Sequence, residues 1–385
     1  MRRALGIGVC FLLLVVLGTP SYGAQIFLPN SDASWLDTLN YYRISSGLNP
    51  IVEDPALSAN VNKHVKYLSS SNPKFFTGQY VSRHSENPAS PYYTAAGSHS
   101  GQEITATLIP NQFQSIDMWM GAPFHAMGFM REGLQTAGWA SSYNARTGFY
   151  ETGADILTGL KLGRSKIITF PGNGSYSRID SFAGENPDPR ESCGTGWRNF
   201  VGLPFWVSLL RSPSHRMSAQ LTTPSGQVIE SPTQLCIVNE YTLKSSDPIY
   251  GNAGKAIIKA DHMVLIIPKK TLDPGLQNVS LLIGGKQRIT WSFTVIAPPP
   301  VLKWTTSPNP MEITWDAPPT QPANPMVGYD VLVGDSAMKK FQSYRTTTTA
   351  FPTSSVNPGN YWVCVKVIAK YRDSACPSFY PLTVK

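Results

Sequence analysis

Beyond residue 25 the sequence has no apolar run long enough to cross a bilayer, so the mature chain is expected to lack a transmembrane segment. It has no Cys-x-x-Cys and no cluster of Cys and His at zinc spacing, which argues against a structural zinc site. Gly-x-Ser-x-Gly, His-Glu-x-x-His and the Walker loop are all missing, and with them the chemistries they carry. No basic run is interleaved with aromatics, so nucleic acid is not an expected partner. No short-period repeat is visible. Charge itself is scarce, at 15% of residues.

What is present points to β-structure and ordered loops: 32 prolines, 31 glycines and 17 tyrosines in 385 residues, a length that suits two or three domains. Arg2 and Arg3, the apolar run Leu5 to Leu17 and the small residues before Ala24 read as a secretory signal peptide over residues 1–23. A secreted or wall-associated protein is therefore expected. Four cysteines lie beyond the leader, Cys193, Cys236, Cys364 and Cys376, and an even number in an exported chain favours two disulfides. Three connectivities are open, the local one pairing Cys193 with Cys236 and Cys364 with Cys376. The net charge of +8 would suit anionic wall polymers or acidic lipid, although a basic secreted protein needs no such partner.

Residues 34 to about 160 read as mixed α/β. Leu36, Leu39 and Tyr42 fall at helical spacing, with Gly47 as a stop. A second helix begins at Asp54-Pro55 and carries the stripe Leu57, Val61, Val65, Leu68, with His64 on its flank. A third is expected over 113–120. From about 165 helical periodicity fades into short β-rich runs separated by turn signals, the pattern of a sandwich. The proline run 297–301 marks a boundary, followed by a second sandwich. Cys364 and Cys376 would lie on its late strands, where a cross-link is geometrically feasible.

The segment "LNYYRISSGLNPIVEDPALSANVNKHVKYL" resembles the opening of bacterial members of the CAP superfamily, which groups cysteine-rich secretory proteins, antigen 5 and pathogenesis-related 1. "SRHSENP", "GQEI", "MWMGAPFHA" and the closing "GLQTAGWAS" are similar to later family segments in the same order. The resemblance implies an α-β-α sandwich over 30–160. Its cleft often holds two histidines and two acidic residues, sometimes around a divalent metal. His84 and His125, the latter six residues after Trp119, match the two histidines. Gln102, rather than Glu103, aligns with the first acidic position, and Pro123 occupies the second. Residues 165–298 resemble the Ig-like extension that follows some bacterial CAP domains, and 299–385 resemble fibronectin type III, with Trp315 on an early strand and Pro358-Gly359-x-Tyr361 before a late one.

With both acidic positions replaced, two neutral imidazoles alone would hold a divalent metal weakly, and no cofactor is expected. General acid–base hydrolysis likewise lacks its carboxylate. Glu103 could substitute only through a one-residue slip of its strand, which would turn it to the other face; Glu86 and His99 are the other neighbours in sequence. The expected role is non-enzymatic binding of a lipid, a wall polysaccharide or a surface protein, in a cleft formed by His84, Gln102, Glu103, Trp119 and His125. The alternatives are a metal-assisted hydrolase or peptidase with His84, Glu103 and His125 as its groups, and a structural envelope or adhesion protein. Several other features read as structural. "SPSHR" (212–216) reads as a loop, Asp261-His262 as ordinary surface, and Asp180, Glu185, Asp188 and Glu191 as a solvated acidic loop without calcium-loop spacing. Asn173 and Asn278 begin glycosylation sequons.

Overall fold

The structure, a computed structural model, describes residues 28–30, 33–102, 104–109 (backbone alone), 114–197, 199–299, 312–319, 321–336, 341–374 and 379–384. Helix α1, Trp35–Ser45, starts at Ser34, whose side chain accepts from the Asp37 N–H, and the chain turns away at Gly47 with φ +74°. Strand β1 is Val52–Glu53. Helix α2, Pro55–Ser70, is capped by Asp54, which accepts from the Ala56 and Leu57 N–H groups, and Pro55 occupies its first turn. Helix α3 is Ala95–Ser100 and strand β2 is Ile104–Ile109. Then come α4, Ser115–Gly121, and α5, Pro123–Phe129, followed by the strands β3, Thr136–Asn144, and β4, Phe149–Asp155. The third helix expected over 113–120 is thus α4, with Phe113 outside the described residues.

The four strands form one sheet in the order β1-β3-β4-β2, parallel between β1 and β3 and antiparallel elsewhere. Alternation along β3 sends successive side chains to opposite faces. Ala140 packs on Val61 and Val65 of α2, while Ala137 and Trp139 join the core beneath α1, α4 and α5. A Cβ at Gly138 would sit 2.4 Å from the Leu57 and Ser58 backbone, so only glycine lets α2 approach this closely. Arg43, fully buried, fastens the helical side: its guanidinium donates to the carbonyls of Asn49, Phe129, Arg131 and Leu134. Burial lowers its pKa from 12.5 to about 10.

Residues 168–295 form two facing sheets. One holds five strands, ordered 228–230, 217–222, 275–283, 287–295 and 175–177; the other holds four, ordered 235–238, 263–268, 205–208 and 168–170. Phe205 bridges them, its ring 6.0 Å from both Trp291 and Phe293. Strand Met263–Pro268 is buried at every residue, because both of its faces are covered. A helix that the fading periodicity did not reveal, α6 at Gly251–Ala260, precedes that strand. The Cys193–Cys236 disulfide ties the loop after 188 to strand 235–238. Cys364 is also disulfide-bonded; Cys376, its expected partner, and the leader lie outside the described residues.

The helical layer and the sandwich share one hydrophobic core. Tyr42 of α1 lies against Phe170, ring centroids 5.8 Å apart, and Phe170 stacks on Trp206 at 5.5 Å. Tyr41 donates its hydroxyl to the Tyr176 carbonyl and accepts from the Tyr176 N–H, at 2.7 and 2.9 Å. Asp261 is buried between Arg131 and Arg164 at 3.0 Å each, contrary to its expected place on the surface. A third unit has its own core, in which Ile313 and Phe351 of a two-stranded sheet pack with Val331, Val333 and Val363 of a four-stranded one. It docks through Arg372, paired with Asp180 at 2.5 Å, and through Arg178, which bridges Asp117 of α4 and the Pro29 and Tyr371 carbonyls. The chain is multidomain, an α-β-α layer followed by β-sandwiches.

Because Tyr42, Phe124 and Phe170 belong to one core, a chain ended at residue 160 would expose aromatic surface it cannot rebury. It is expected to aggregate or to melt without a cooperative transition. A sharp, monomeric unfolding transition of that fragment would contradict the shared core.

Candidate functional site

The histidines sit on a scaffold of buried polar pairs. His64 of α2, read from the sequence as a flank residue, is buried. Its Nε2 lies 2.9 Å from the Arg83 carbonyl and must donate there, while Nδ1 lies 2.8 Å from Glu86 Oε1. Glu86 accepts the Thr94 N–H through its other oxygen. It is therefore engaged with His64 and does not stand in for the missing cleft acids. Helix α3 lies over this pair on two glycines. A Cβ at Gly97 would meet Glu86 Oε1 at 2.7 Å, and one at Gly101 would meet the His64 ring at 2.4 Å. Arg83 in turn is paired with the buried Glu151.

From this support Gly101 presents its carbonyl to His84, whose Nδ1 donates to it across 2.9 Å. Nε2 therefore keeps the lone pair. Burial lowers the His84 pKa from 6.5 to about 4, against the Gly101 bond, which raises it; nearby His125 adds to the depression. His84 is neutral at physiological pH. Its ring lies edge-on to Tyr250, 5.5 Å between centroids, and the Tyr250 hydroxyl is bound by the Arg83 N–H and Ser82 Oγ at 3.1 Å each.

His125, on the first turn of α5, has a partner that the sequence reading missed. Glu185, from the loop before the 189–193 turn, places Oε2 2.8 Å from His125 Nδ1 and accepts the Phe124 N–H on Oε1 at 3.1 Å. Its carboxylate side chain is only 2% exposed, so it is no solvated loop residue. The other members of that acidic run are also engaged: Asp180 with Arg372, Asp188 with Arg190, and Glu191 with the Ser246 N–H. Pro123 supplies no side-chain ligand, yet it opens α5 so that the next N–H, of Phe124, points at Glu185. A carboxylate is thus restored beside the second histidine from 60 residues downstream. No local spacing in the sequence could signal it.

His84 and His125 stand where two chambers meet, with Tyr250 and Asn186 bordering both. One chamber, about 650 Å³, is the more charged of the two, with Arg83, Asp117, Glu185, Asp188 and Arg190 on its walls among Met118, Ile179 and Phe182. The other, about 490 Å³, is largely apolar, bounded by Phe124, Ile156, Leu157, Ile249 and Ile257. Helix α6 forms its far wall, brought close by Gly254 against Pro187. Exposed Gln102 borders this apolar chamber, while Trp119 is core, stacked on Phe129 at 5.3 Å beneath the more charged one. Glu103 lies outside the described residues. His99 is exposed, and "SPSHR" is a loop, as expected, with His215 on the Tyr241 ring.

A resident divalent metal does not fit the described donors. Both histidines are oriented through Nδ1, as metal ligands are, but Glu185 is occupied by His125 and Phe124. Among the described residues no group of three or more His, Cys, Asp or Glu is placed to hold an ion.

Residues 36–155 match the family model of the cysteine-rich secretory protein family, CAP, and this layer is a CAP domain. No curated protein matches the chain. Among solved structures it is similar to the fibronectin(III)-like modules of Clostridium thermocellum CbhA, at 15% identity and a TM-score of 0.25, over 57% of this chain and 94% of that one. It is also similar to a two-domain fibronectin type III segment of chicken tenascin, at 14% identity and a TM-score of 0.20, over 47% of this chain and 91% of that one.

Two outcomes follow from this geometry. Folded His84 takes a proton only near pH 4, whereas the unfolded chain takes it near the ordinary 6.5, so the unfolded state binds more protons in between. Stability should fall as pH is lowered through that window, by on the order of 3 kcal/mol. His84→Asn, whose amide can still donate to Gly101, should flatten that slope in urea titrations across the window; an unchanged slope would refute the assignment. Gly101→Ala would drive a methyl into the His64 ring and should cost roughly 2–4 kcal/mol. A variant as stable as the parent would show that the ring can move aside.

Proposed function

We propose that the protein acts outside the cell or at its surface as a binding protein, and that its ligand enters the cleft between the CAP domain and the following sandwich. The observation that carries this reading is the Glu185–His125 contact, because it makes the cleft a joint product of the two layers. Two chambers with substantial apolar lining, one of them also edged by charged side chains, meet at two oriented histidines and favour an amphiphile over a plain polysaccharide among the expected ligand classes. The Cys193–Cys236 disulfide, the leader-like first 23 residues and the absence, among the described residues, of any helix able to cross a membrane support export.

A second reading, hydrolysis, is favoured by one specific feature: a buried carboxylate orients His125 through Nδ1 and leaves Nε2 free to accept a proton. Glu185, rather than Glu103, would be its carboxylate.

Lipid and glycan arrays probed with the full chain test the binding reading. Glu185→Gln, which keeps a hydrogen-bonding side chain beside Phe124 and His125, should weaken binding about tenfold or more. His125→Ala should do so with a loss of stability as well, because it leaves Glu185 short of a donor. Retention of full binding by both variants would remove the cleft as the site. Cleavage of ester or peptide substrates that disappears in His125→Ala would replace binding with hydrolysis.

A further inference from the structure

Away from the cleft, the loop that leaves β4 meets the loop that follows strand 205–208, and together they expose three aliphatic side chains. Leu162 is 102% exposed, Leu210 50% and Ile167 37%. Leu162 and Leu210 border a depression of about 400 Å³ together with Lys161 and Arg164. Leu210 and Ile167 border a second, of about 660 Å³, together with Arg211 and Lys286. Since Leu210 belongs to both, the residues form one patch. Isolated apolar side chains on a surface need no explanation, but three clustered within a ring of cations do.

The carboxylates at this patch offset only part of its charge. Glu132 keeps its negative charge while accepting the Ser165 N–H and hydroxyl, and Asp261 is matched by Arg131 and Arg164. Lys161, Arg211 and Lys286 are exposed and make no ion pair with a described carboxylate. A chain of net charge +8 presents part of its excess here.

We infer that this patch docks on an anionic phospholipid bilayer, a role separate from the cleft. The aliphatic side chains enter the boundary between head groups and acyl chains, and the cations lie over acidic head groups. A soluble anionic polymer would satisfy Arg211 and Lys286 but would leave Leu162 in water. A second copy of the chain would bring the same cations face to face.

Co-sedimentation of the full chain with vesicles tests this, comparing phosphatidylcholine alone with phosphatidylcholine plus phosphatidylglycerol. Binding is expected to the anionic vesicles only and to weaken with salt. The pair Arg211→Ala and Lys286→Ala should weaken partitioning roughly thirtyfold. The pair Leu162→Ser and Leu210→Ser should weaken it about tenfold or more. All four positions are solvent-facing, and an unchanged melting midpoint checks that the fold survives. No binding, equal binding to both vesicles, or a leucine variant that binds like the parent would each overturn the proposal. Retention on a soluble acidic polysaccharide, lost with the arginine and lysine but indifferent to the leucines, would assign the patch to a polymer instead.

Discussion

A carboxylate removed from water needs donors, and Glu185 finds both of its donors in the other layer. The N–H of Phe124 and the Nδ1–H of His125 stand at the start of α5 and converge on its two oxygens. That constraint fixes where the 183–188 loop passes, and with it Asn186 and Pro187. Pro187 meets α6 at Gly254, so the helix that walls the apolar chamber is set by the same contact. An unpaired charge at this depth would cost several kcal/mol, which makes the docking of the two layers and the orientation of His125 a single requirement.

The second histidine is held differently. His84 hangs from the Gly101 carbonyl, and Gly101 is in place because its missing side chain admits the His64 ring. One imidazole is therefore oriented by a neutral carbonyl and the other by an anion. Burial pushes His84 well below its ordinary value.

Much of this was legible in the sequence. Asp54-Pro55 and the stripe Leu57, Val61, Val65, Leu68 gave α2 because capping and periodicity are local, and the turn-bounded β-rich runs after 165 became the strands of the sandwich. The family-like segments carry His84 and His125, and both rings line the two chambers. Residues whose roles are set by distant partners were not legible. Glu185 read as a solvated acid and Asp261 as surface because the groups that neutralise them lie 60 and 130 positions away in the chain. Helix α6 was missed although its apolar side chains are periodic, because no capping side chain opens it and glycines at 251 and 254 interrupt so short a stretch.

The continuity of the core from Tyr42 through Phe170 to Trp206 also bears on inheritance. A substitution on α1 is judged by its fit to a strand of the sandwich, and one at Gly172 by its fit to the end of α1, where a methyl would strike the Ser45 carbonyl. Selection therefore acts on the two layers together. The piece that recombination can move intact between genes is the pair, with the cleft carried along its seam.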